Sequence, residues 1–157
     1  MLQKLPFWQY LDFTQQSLIK QSFSLLDWAK TSQQKYFDYS FIVMPAAKTY
    51  EGFLKKVYFD LGLINNYDFA EEYFRIGKAL NPALQQHKYL KHECFYNQIC
   101  KRCGINTANV LWQTWKNCRN RLFHYFTQKK QAFTLDEAES RLNQLVETMN
   151  LVCKTCY

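Results

Sequence analysis

The apolar residues between Pro45 and Gly62 fall at intervals of three and four: Ala46, Tyr50, Phe53, Leu54, Val57, Tyr58 and Leu61. That spacing gathers them on one stripe of an α-helix, whereas a strand, with its period of two, would scatter them over both faces. Pro45 suits the first turn of such a helix, where its missing N–H leaves no bond unmade. Gly62-Leu63 has the form of a C-terminal cap with its apolar follower, and the same stop recurs at Gly104-Ile105, after a segment expected to be helical over 83–103.

The rest of the chain carries the same signature. A helix is expected within 7–30, on Phe7, Leu11, Leu18, Phe23, Leu25, Leu26 and Trp28. Residues 31–43, with Tyr36, Phe37, Tyr39, Phe41, Ile42 and Val43, read equally as a short strand or an aromatic turn of helix. A third helical segment runs from Asp68 to Ala79 and stops before Asn81-Pro82. Asn106 or Thr107 caps a fifth helix carrying Val110, Leu111, Trp112, Trp115, Leu122, Phe123 and Phe126. Thr134-Leu135-Asp136-Glu137 is a capping-box sequence that opens a last helix on Ala138, Leu142, Leu145, Val146, Met149 and Val152. With only 4 Gly and 3 Pro among 157 residues, 48% of them hydrophobic, the expectation is a single all-α domain over 1–157, an antiparallel bundle of five or six helices.

The formal net charge is +7, from 20 Lys and Arg against 13 Asp and Glu, and a field of that sign attracts polyanions such as RNA, DNA or acidic membrane. No segment approaches the roughly 20 apolar residues of a membrane span. The opening MLQKLPFWQYLDF lacks the apolar core of a secretory signal, so the chain reads as cytoplasmic, with no membrane partner. Its 6 cysteines are then expected as free, buried or metal-bound thiols and not as a disulfide framework.

The densest chemistry lies in the fifth helix. Lys116-Asn117-Cys118-Arg119-Asn120-Arg121-Leu122-Phe123-His124-Tyr125 puts three cations, two amides and an imidazole in one short run. On a regular helix Arg119 and His124 would stand about 140° apart and Arg121 and His124 about 60° apart. Cutting RNA without a metal requires a group to take the 2'-hydroxyl proton, a group to protonate the leaving oxygen, and a cation for the charge of the transition state. Histidine exchanges protons near neutral pH, and arginine offers a permanently charged planar fork to phosphate oxygens.

Arg119-Asn120-x-x-x-His124 resembles the Arg-polar-x(3)-His signature of the HEPN superfamily, helical bundles that commonly dimerise and cut RNA. Pro45-Ala46-Ala47-Lys48-Thr49-Tyr50-Glu51-Gly52-Phe53-Leu54-Lys55-Lys56 and Leu61-Gly62-Leu63-Ile64 are similar to the HEPN domain of RNase LS-type toxins of toxin–antitoxin pairs. The resemblance implies a metal-independent endoribonuclease, a toxin or antiviral effector with an antitoxin partner, acting as a homodimer with a composite active site. It also implies catalytic roles for Arg119, Asn120 and His124, substrate contacts by Arg121 and Lys116, and a supporting hydrogen bond from Glu51. The Arg-x(4)-His-x-Tyr variant of other HEPN toxins is not matched, because Phe126 occupies the tyrosine position.

Cys100-Lys101-Arg102-Cys103 and Cys153-Lys154-Thr155-Cys156 form two CxxC pairs, a pattern that either binds zinc or places small apolar residues at helix ends. Cys118 adjoins Arg119, which would lower its pKa, but it has no orienting partner in the sequence. His87, Lys88, Tyr89, Lys91 and His92, with Tyr96, form a basic-aromatic segment that either tracks an RNA backbone or is a solvated helix face. The alternative to the nuclease is a non-catalytic RNA-binding or partner-binding helical module, possibly zinc-stabilised.

Overall fold

A computed structural model describes residues 2–86, 94–124, 127 and 132–157. The described residues form an all-α bundle with no strand. Its long members are α2 (Phe13–Thr31), α3 (Ser40–Asp60) and α9 (Leu135–Thr155). Shorter helices surround them: α1 (Pro6–Tyr10), α4 (Asn66–Ala70), α5 (Ile76–Leu80) and α6 (Phe95–Cys103). Helix α7 (Ile105–Thr114) runs on into a π-helical stretch (Trp115–Asn120) and a last turn, α8 (Arg121–Phe123).

Cross-helix contacts give the directions. Thr49 Oγ1 donates to Gln15 O and the Ala46 N–H to Ser22 Oγ, so α2 and α3 are antiparallel. Thr107 meets Thr155, Thr114 meets Thr148, and Cys118 meets Gln144, so α7 and its π-helical continuation run against α9. Tyr39 N–H donates to Phe133 O before the two helices start, and Asp60 accepts from Tyr157 where they end. Thus α2 and α7 point one way, and α3 and α9 the other.

Helix α3 is the axis of the core. Tyr50, Phe53, Leu54, Val57 and Tyr58 are fully buried on it, as the three- and four-residue spacing requires. They pack with Phe7, Leu111, Leu142, Leu145 and Met149. Tyr50 buries its ring but keeps its hydroxyl satisfied by donating to Leu111 O at 3.0 Å. At the far end the Arg102 guanidinium donates to Leu61 O, one of the carbonyls left over where α3 stops.

Several boundaries differ from those expected. Helix α3 begins five residues before Pro45, so the proline sits inside it and the ambiguous 31–43 segment supplies its first turn. Ser22 of α2, fully buried, compensates by taking the Ala46 N–H at 3.0 Å. The 68–79 segment is two short helices, because Glu71 has an extended backbone and ends α4. The 83–103 segment opens as a 3-10 helix (Pro82–Gln86) and is α-helical only from Phe95. The capping boxes at Thr134 and, unforeseen, at Asp12 and Asn65 are formed. The basic-aromatic residues His87, Lys88, Tyr89, Lys91 and His92, and Tyr125 and Phe126, lie outside the described residues.

The cysteines depart from expectation as well. Cys103, last residue of α6, and Cys156, the cap of α9, are disulfide-bonded, with Cα atoms 4.8 Å apart. Two helix ends meet there, within the spacing a disulfide spans. Each CxxC pair thereby gives up one thiolate, while Cys94, Cys100, Cys118 and Cys153 are free thiols. Among the described residues no cluster of three or more His, Cys, Asp or Glu could hold a metal ion. No helix among them is long and apolar enough to cross a membrane.

Candidate active site

Every residue of the Arg119–His124 motif is positioned by the change of helix type at Trp115. A π-helix bonds i to i+5, so its turns are wider than those of the α-helix before it, and such insertions recur at functional sites. One side of the stretch is fixed to α9: Thr114 and Thr148 hydroxyls are 2.8 Å apart, and Cys118 Sγ donates to Gln144 Oε1 at 3.3 Å. Burial pushes the Cys118 thiol up to about 12, with the charge of Arg141 opposing it only in part. Cys118 therefore stays a neutral donor. The cation that bears on it is Arg141, and Arg119 points elsewhere.

Arg119 points at α3. Its Nε donates to Glu51 Oε2 at 3.2 Å and its Nη2 to Oε2 at 3.1 Å and Oε1 at 3.4 Å, a fork on a carboxylate. The guanidinium carbon also lies 5.1 Å from the centroid of Trp115 and 4.8 Å from that of Phe123. Two aromatic faces and one carboxylate thus hold a cation that remains partly open to solvent. The supporting role expected of Glu51 has a geometric basis in this pair.

The pair stands at the edge of a cleft of about 560 Å³ that Asn120 and His124 also line. The three residues to which the motif assigns catalysis, together with Glu51, therefore share one cavity. His124 reaches it differently from the way a helical wheel places it. The helix stops at Phe123, and His124 has φ −121° and ψ 134°, an extended cap. The angular separations of a regular helix do not apply, because the π-helical stretch and this break re-aim both Arg119 and His124.

Lys116 and Arg121 are not among the cleft's lining residues. Lys116 lies 5.8 Å from the Trp112 ring centroid, and Arg121 is exposed. The cations that do line the cleft beside Arg119 are Arg75 and Lys78, at the start of α5, with Tyr73 just before them. Their three-residue spacing is visible in the sequence, but only the fold brings α5 to the motif. Gly77 is the contact that allows it: a Cβ there would lie 2.3 Å from Trp115 Nε1, so the backbone of α5 rests on the indole. Trp112 and Trp115, expected in the core stripe, instead line the cleft, Trp115 as its buried wall.

No family model, no curated protein and no solved structure matches the chain.

Proposed function

We propose that the chain is a metal-independent endoribonuclease of the HEPN type, a toxin or antiviral effector held in check by an antitoxin partner. The observation that carries the reading is the convergence of Arg119, Asn120 and His124 on one cleft, with Arg119 aimed by Glu51. A scissile phosphate beside Arg119 would take up its exposed N–H groups. The guanidinium then compensates the charge that grows on the phosphoryl oxygens as the 2'-hydroxyl attacks. His124 takes the 2'-hydroxyl proton, or delivers one to the departing 5'-oxygen, leaving a 2',3'-cyclic phosphate.

One imidazole cannot hold both proton positions at once. A second copy of the chain, bringing its own Arg–His set across a two-fold axis, supplies the other, which is why the proposal includes a homodimer. Arg75 and Lys78 extend the positive lining along the RNA backbone, the role first given to Arg121 and Lys116.

The test is incubation of the parent protein, Arg119→Ala and His124→Ala with total RNA in excess chelator. Cyclic-phosphate ends are expected from the parent, with a loss of at least about 100-fold in each variant. Equal cutting by both variants would remove the assignment. Binding of RNA by the parent without cutting would place the chain among non-catalytic RNA-binding modules.

A further inference from the structure

The Arg119–Glu51 pair has a cleft on each side. The second, about 500 Å³, is lined by the pair together with Leu18, Met44, Pro45, Lys48 and Phe123. Its lining is apolar apart from Lys48 and the pair. Glu51 is the one carboxylate in it and is already engaged by Arg119, which leaves a positive balance. Met44 is 44% exposed and Phe123 41% exposed, so both present apolar surface to solvent at this point. Lys48 sits one turn beyond Met44 on the same face of α3, and no described residue pairs with it.

A polarisable thioether, an aromatic ring and a cation in a cleft of this size suit a flat, apolar-faced group that carries negative charge at its edge. A nucleotide has that form, since its base stacks on rings while its phosphate seeks a cation. Because Arg119 lines both clefts, a strand whose phosphate rests on Arg119 necessarily has one of its two flanking nucleotides on the Phe123 side.

Resting on the ribonuclease reading, we propose that this second cleft is a nucleobase subsite for single-stranded RNA. The base next to the scissile phosphate lies on Phe123 and Met44, and Lys48 holds the phosphate beyond it. The subsite would fix one base of the cleavage sequence.

The experiment uses a labelled, short 2'-O-methyl RNA, which lacks the attacking hydroxyl and reports binding alone. Fluorescence anisotropy is measured with the parent, Met44→Asp, Lys48→Glu and Lys48→Arg. Both altered residues are exposed, and matched thermal melts check that the variants fold. Met44→Asp and Lys48→Glu are expected to weaken binding about tenfold, with Lys48→Arg close to the parent, and an oligonucleotide of abasic sugars should no longer distinguish Met44→Asp. Binding within twofold of the parent in both Met44→Asp and Lys48→Glu overturns the subsite, even if the parent cuts RNA. Weakened binding in a protein that never cuts leaves the subsite standing and removes the nuclease. A parent that binds no oligonucleotide overturns both.

Discussion

Glu51 and Arg119 stand 68 positions apart in the chain and meet through three N–H···O contacts, which tie the middle of α3 to the π-helical stretch at the level of the cleft. Glu51→Gln keeps an acceptor in place but removes the charge that holds the fork. RNA cleavage is expected to fall between tenfold and a hundredfold through kcat, because the guanidinium is no longer aimed. Stability should fall by only about 1 kcal/mol, since the pair is partly solvated. Initial rates and urea titrations on the same preparation separate the two effects.

Gly77 supports the same cleft from below. In Gly77→Ala the new methyl group collides with the Trp115 indole, whose position sets one face of the Arg119 cage. A loss of about 1–3 kcal/mol is expected from overpacking. A changed tryptophan emission spectrum, together with reduced cleavage, would locate the disturbance at Trp115.

Ser22 is the device that lets proline stand inside α3. Ser22→Ala leaves the Ala46 N–H buried without its partner, at a cost of about 1–3 kcal/mol. Denaturant unfolding should show a lower midpoint with an unchanged slope.

The Cys103–Cys156 bond closes a loop of 53 residues, for which chain entropy gives about 4 kcal/mol of stabilisation. Dithiothreitol should lower the melting temperature of the parent and leave a Cys103→Ser, Cys156→Ser double variant unchanged. Thiol titration in denaturant should find four free thiols before reduction, Cys94, Cys100, Cys118 and Cys153.

Asp60 gathers the two chain ends: Tyr10 Oη donates to it at 2.6 Å, Lys56 Nζ at 2.8 Å and Tyr157 Oη at 3.4 Å. Partial burial disfavours its ionised form, but the Lys56 and Tyr10 hydrogen bonds and the Lys56 charge outweigh this and hold its pKa below the usual carboxylate range. A group that is more acidic folded than unfolded adds stability above its unfolded pKa, near 4 for Asp, and loses that contribution as pH falls through the folded value. The stability gap between the parent and Asp60→Asn should therefore be full near neutral pH and close below about pH 4. Urea midpoints measured across that range check the sign.

What could be read from the sequence was whatever is decided within a turn or two of helix. The stripe on α3, the Gly62 and Gly104 stops and the Thr134 capping box depend on residues close in the chain, and they formed as spaced. Pro45 misled because its helical tolerance depends on Ser22, 24 positions earlier. The motif itself was legible as chemistry, and Glu51 as an acid on an apolar helix. The π-helical widening was not, because no local pattern distinguishes it from a regular turn. Arg75, Lys78 and Gly77 were missed for a related reason: their value comes from α5 folding onto Trp115, a contact between segments that share no periodicity. The disulfide was hidden by the ordinary expectation that a chain without an apolar leader keeps its thiols reduced.

The π-helical stretch also fixes how this chain can vary. Removing one residue between Trp115 and Asn120 would let the segment relax into uninterrupted α-helix, a locally more comfortable backbone. Everything downstream would then rotate by about 100° about the helix axis, carrying His124 away from the cleft. Substitutions are therefore far more tolerable here than a change in length: the number of residues between Trp115 and His124 is itself a functional quantity, as strictly kept as the identity of the arginine.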